Sequence, residues 1–161
     1  SGVGARAIAQ HFDTVSVCLS KGLGAPVGSV LVGSAPLIAK ARRWRKVLGG
    51  GWRQAGMLAA AGLYALDHHV GRLADDHRRA AYLAGRLREI AGLDLLGQYT
   101  NMVFVDVPVA RLQALDEHLR AQSIRISIGY LPTLRLVTHL DVDDADIEHV
   151  VQAFRGFFAR G

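Results

Sequence analysis

The chain has 161 residues, half of them apolar and a fifth charged, with a formal net charge of +5. That balance excludes a disordered segment, and the length allows one substantial core or two unequal lobes. Apolar runs fall short of the ~18 residues a membrane helix needs, a lone Cys18 excludes an internal disulfide or a cysteine cage for a metal, and no signal peptide is legible, so a cytoplasmic protein is the simplest expectation.

The positive charge is mostly arginine; Lys21, Lys40 and Lys46 are the only lysines. The densest cluster is Lys40, Arg42, Arg43, Arg45 and Lys46. A nucleic-acid footprint would interleave aromatics or belong to a binding motif, and only Trp44 lies within this one. Basic residues in such a cluster serve equally well to close a phosphate site or a subunit contact. Neither nucleic acid nor a membrane is expected as a partner.

In chain order, Val3 to His11 reads as a short helix leading into a strand through Val15, Val17 and Leu19. Ser20, Lys21 and a run of turn-formers end that strand abruptly. Gly22, Gly24 and Gly28 accept positive φ and Pro26 lacks a donor, so Lys21 falls at the tip of an expected interior strand. In an open α/β sheet ligands bind at such tips. A buried lysine there would be driven toward its neutral form, which is the nucleophile that condenses with a carbonyl. The alternative is a surface lysine whose head reaches water.

Ser29 to Val32 is a second short strand, antiparallel to the first across the glycine loop. Ser34 is placed to cap the next helix, with Pro36 in its first turn and basic residues at its negative end. Gly49-Gly50-Gly51 stops it, as a plain loop or as backbone that something approaches closely. The helix from Arg53 to Asp67 is apolar on most of its surface and should be buried. From Arg72 to Ala91 a single seam runs through Leu73, His77, Ala80, Ala84, Leu87 and Ala91. His68 and His69 are adjacent, do not share a helix face, and suggest no metal site.

Beyond Gly92, Met102 to Val107 is a strand, Val109 to Ala121 a helix, and Ile124 to Ile128 and Leu134 to Thr138 strands separated by Gly129–Pro132. Asp143 and Asp146 have the spacing of a capping box, ahead of a helix with Ile147, Val150, Val151, Phe154 and Phe158 on one stripe. Strand alternation puts Leu134 and Leu136 on one face and Arg135 on the other. An outward guanidinium there is either solvated or a fork for a carboxylate.

The stretch Ser16-Val-Cys-Leu-Ser-Lys21-Gly-Leu-Gly-Ala-Pro-Val-Gly-Ser-Val-Leu-Val-Gly33 resembles the cofactor-lysine segment of low-specificity threonine aldolases. The likeness continues through Arg43–Lys46, Gly49–Gly56, Ala59–Leu66, Thr100–Val105 and Arg135–Val142, covering nearly the whole chain in order. It implies an α/β, aspartate-aminotransferase-like (fold-type I) architecture. Residues 1–70 would be the C-terminal portion of the large domain that binds pyridoxal 5'-phosphate, and residues 71–161 a connecting helix with a small α+β domain. It also implies Lys21 as the covalent attachment point, Arg53 and Lys46 as phosphate contacts (Arg53 across a dimer interface), and Arg135 as the carboxylate ligand. Lys46 reads equally well as a solvated charge.

The implied reaction cleaves threonine or another β-hydroxy-α-amino acid to glycine and an aldehyde. Several parts of the family pattern are absent: the ring-stacking histidine, the phosphate loop, and the Asp-Gly-Ala-Arg motif, for which Val3-Gly4-Ala5-Arg6 is no substitute. Trp52 also replaces the usual methionine. The chain alone is therefore expected to be inactive, and its expected partner is further copies in a homo-oligomer (dimer or tetramer) or a companion chain that carries the missing N-terminal half and completes the site. A non-catalytic remnant or scaffold, and another β-eliminating lyase that uses the same cofactor, are the competing readings.

Overall fold

The computed structural model describes residues 2–128 and 132–159. The chain divides into two compact units, Ser1–Val70 and Gly71–Gly161.

The first unit opens with helix α1 (Ala5–Ala9), then strands β1 (Thr14–Cys18) and β2 (Ser29–Gly33). These pair antiparallel from Thr14↔Gly33 to Cys18↔Ser29, so the glycine-rich segment between them is the hairpin's loop, as its turn residues foretold. The expected interior strand is not found. Among the described residues β1 pairs only with β2, in a two-stranded ribbon, and both strands are largely exposed. An isolated ribbon of this kind is marginal without something packed on it.

Helix α2 (Ala35–Val47) starts after Ser34 with proline in its first turn. The Ser34 side chain makes no capping bond; its carbonyl accepts from the Ile38 amide instead. Helix α3 (Gly56–His68) corrects a second expectation. Only Gly62 and Ala65 are buried, while Met57, Leu63 and Tyr64 are more than half exposed. Its apolar surface exceeds what the rest of this unit covers.

The second unit holds the main core. Helix α4 (Leu73–Leu87) is followed by β3 (Asp94–Tyr99), β4 (Met102–Asp106), helix α5 (Val109–Arg120), β5 (Thr133–Val137) and helix α6 (Asp144–Phe158). The strands form an antiparallel sheet in the order β3-β4-β5. Val103, Val105 and Leu134 on one sheet face are fully buried against Leu87, Leu115, Leu119, Val151 and Phe154 from the helices. Asp143 and Asp146 form the capping box, each side chain accepting from the other's amide at 2.9 Å.

Three details depart from the sequence reading. Strand β3 was not foreseen, because a bulge between Leu95 and Gly97 breaks its alternation. Residues 124–128 form no strand among the described residues. The seam of α4 passes through buried Asp76, not His77, which is exposed. Residues 129–131 of the expected Gly129–Pro132 turn lie outside the described residues.

Candidate functional site

Lys21 lies in the loop that joins β1 to β2, and local geometry fixes that loop. The Gly24 amide donates to the Lys21 carbonyl at 2.8 Å, closing a tight turn, and Gly24 has φ +71°, a conformation that glycine supplies at little cost. The Leu19 amide donates to Gly28 O at 2.9 Å, and the Ala25 amide to Leu19 O at 3.0 Å. Leu19, Leu23 and Ala25 are buried, so alternate residues anchor the loop while Lys21 between them is exposed. Leu19 packs on α3 at Gly62, where an added Cβ would meet its Cδ1 at 3.1 Å. The structure thus gives Lys21 a fixed backbone and an accessible amine. The burial expected of Lys21 is not found within this chain.

A hollow of about 680 Å³ forms where α2 ends, lined by Arg45, Gly49–Gly51, Trp52, Arg53 and Ala55. Two of the three glycines, Gly50 and Gly51, accommodate a close approach by the helix itself. A Cβ at Gly50 would lie 2.9 Å from the Arg45 carbonyl oxygen, and one at Gly51 would lie 2.7 Å from Lys46 Nζ. The Gly50 amide caps Arg45 O at 2.7 Å. Gly49 has φ +87°, and Gln54, beside Arg53, is held at φ 52°. Non-glycine residues in that region are uncommon and carry local strain. The turn therefore gathers Arg45, Lys46 and Arg53 around exposed backbone. Lys21 does not line this hollow.

In the second unit Arg135 projects from β5 as alternation requires: Leu134 and Leu136 are buried and Arg135 is exposed. It lines an open groove of about 820 Å³ with Arg125, Ser127, His139 and His149. The far end of β5 is clamped. Asn101 Nδ2 donates to Thr138 O at 2.8 Å, and the Thr138 amide donates back to Asn101 O at 3.0 Å, so a side chain extends the β4–β5 ladder by one step. The buried Thr138 hydroxyl donates to the main-chain carbonyl of Asp76 at 2.7 Å. Asp76, 1% exposed, pairs with Arg72 one turn earlier, which explains how α4 tolerates a carboxylate on its buried seam.

Sequence reasoning missed Asn101, Asp76 and His69. His69 Nδ1 lies 2.6 Å from the Leu23 carbonyl, within the lysine loop. No cluster of three or more residues able to hold a metal occurs among the described residues. A polar ring at the end of an apolar helix, with a glycine-rich loop elsewhere in the same unit, was the available signal.

The chain is 50% identical over 153 residues to the low specificity L-threonine aldolase of Escherichia coli (strain K12), a match that takes in 95% of this chain and 45% of that protein. It is 40% identical over 159 residues to the low-specificity L-threonine aldolase 1 of Arabidopsis thaliana, covering 96% of this chain and 44% of that one. The chain thus spans less than half the length of these curated relatives. Its fold matches the serine palmitoyltransferase of Sphingomonas wittichii with a TM-score of 0.75 at 19% identity, over 96% of this chain and 41% of that one. That likeness supports the α/β, aspartate-aminotransferase-like architecture expected from the sequence. The family model described as beta-eliminating lyase matches residues 1–110, the segment carrying Lys21, the Gly49–Arg53 turn and the Asn101 hairpin, and the chain belongs to that family.

Proposed function

We propose that this chain is the lysine-bearing portion of a pyridoxal 5'-phosphate-dependent lyase that cleaves threonine or another β-hydroxy-α-amino acid to glycine and an aldehyde. The observation that carries the reading is Lys21: an exposed amine on a loop whose backbone is pinned by buried neighbours on both sides. The residues suit such a cofactor. Arg53 and Arg45 line a hollow of exposed glycine backbone, with Lys46 against Gly51, a donor set matched to a phosphate dianion. When bound, pyridoxal phosphate supplies the conjugated ring that accepts the electrons released at Cα.

Each protein group then has a separate task. The amine of Lys21 would hold the cofactor covalently through its aldehyde carbon. Arg53, with Lys46, fixes the phosphate end. Arg135 would bind the substrate's α-carboxylate through its planar fork and so orient the substrate. The Thr138–Asn101 clamp keeps Arg135's strand in register.

Activity would require more polypeptide than this chain contains. Val30, Leu31, Leu63 and Tyr64 of the first unit are exposed, a surface that suits coverage by a companion chain bearing the missing half or by further copies in a homo-oligomer. No helix among the described residues is long and apolar enough to cross a membrane. The family description favours one second reading, a lyase that eliminates a β-substituent rather than cleaving Cα–Cβ. Incubating the purified chain with threonine and the cofactor, alone and with the N-terminal half of a curated relative, tests both. The proposal expects glycine and acetaldehyde from the reconstituted pair only. Acetaldehyde from the chain alone would refute the need for a complement, and ammonia with a keto acid would favour elimination.

A further inference from the structure

We infer that His69 is a positioning residue for Lys21. The inference rests on the reading of Lys21 as the covalent attachment point. The Leu23 carbonyl can only accept, so His69 Nδ1, 2.6 Å away, carries the proton and donates. Leu23 lies inside the turn closed by the Gly24 amide on the Lys21 carbonyl, with one residue between it and Lys21. The bond therefore reaches the lysine turn directly.

The ring's own position is set from α3. Its backbone amide donates to the Ala65 carbonyl at 2.9 Å, ending the helix, and Tyr64 meets the ring edge-on at 5.5 Å between centroids. Leu19 packing on Gly62 gives the loop a second attachment to the same helix. The apolar contact sets the loop's depth, but apolar contacts are not directional. The histidine bond is, and it fixes the rotation of the Leu23 peptide and with it the course of the chain at Lys21.

Two substitutions separate the bond from the ring. His69→Phe keeps an aromatic edge against Tyr64 and removes the donor. His69→Asn removes the ring and places an amide nitrogen where Nδ1 was. Hydrogen exchange is measured at the Gly24 and Ala25 amides of the 161-residue chain, with β4 amides as internal reference. In parallel, the rate of borohydride-fixed adduct formation with pyridoxal 5'-phosphate is read on the Lys21 peptide by mass.

The expected result for His69→Phe is about fivefold faster exchange at Gly24 and Ala25 and a similarly slowed adduct, the scale of one net hydrogen bond. His69→Asn should stay within about twofold of the parent on both. Unchanged exchange in His69→Phe, or equal damage in the two variants, overturns the inference. The underlying reading fails separately: the adduct would then be absent from the parent, or would persist in Lys21→Ala, while exchange still judges His69.

Discussion

The triple glycine at the end of α2 allows a sharp test of how the candidate phosphate hollow is built. At Gly50 an added methyl would sit 2.7 Å from Arg45 Cγ and 2.9 Å from the Arg45 carbonyl oxygen. Backbone cannot swing aside, and the Gly50 amide is bonded to that same carbonyl. Gly50→Ala must therefore open the turn, an overpacking cost of about 1–3 kcal/mol. At Gly51 the first atom met is Lys46 Nζ at 2.7 Å, the end of a flexible side chain that can move away. Gly51→Ala should cost no more than about 0.5 kcal/mol, the range of surface changes.

Both tryptophans, Trp44 and Trp52, flank this turn, so urea denaturation followed by tryptophan fluorescence reports on it directly. The Gly50→Ala midpoint should fall clearly below that of Gly51→Ala, which should match the parent. Equal midpoints would refute the claim that the helix's own backbone, rather than a free loop, dictates the glycine at position 50.

Other expectations follow from the second unit. Phe154 is fully buried, and Phe154→Ala should cost about 3–5 kcal/mol by the cavity it leaves, read from circular dichroism in urea. Thr138→Val should cost about 1–2 kcal/mol because it removes the hydroxyl bonded to the Asp76 carbonyl, whereas Thr138→Ser should recover most of that loss. Hydrogen bonds from Arg79 and then Arg78 hold the Asp144 carboxyl below its ordinary range. A depressed folded pKa contributes stability present above the unfolded value and lost as pH falls through the folded one. The acid side of the stability profile should therefore flatten in Asp144→Asn, and modestly, since the pair is exposed and screened.

What was legible in the sequence depended on whether the relevant partners lie within the chain. The capping box of Asp143 and Asp146 and the outward face of Arg135 were readable because spacing and alternation are local properties, and the second unit supplies its own core. The burial of α3 was misjudged for the opposite reason. Met57, Leu63 and Tyr64 promise a covered helix, but this unit lacks the surface to cover them. Periodicity alone puts His77 on the α4 seam, whereas the buried position is Asp76, whose carboxylate pairs with Arg72 one turn earlier. Strand β3 escaped because its bulge shifts the alternation at Gly97. At the candidate site the sequence pointed to Lys21, but not to the bond from His69, which spans 46 positions.

The central claim is that one particular amine is built to capture an aldehyde. Pyridoxal 5'-phosphate is added to the chain, reduced with borohydride, and the digest searched by mass for the modified lysine. Label is expected at Lys21, ahead of Lys40 and Lys46, and should be lost in Lys21→Ala. Equal labelling of all three lysines, or none at Lys21, would contradict it.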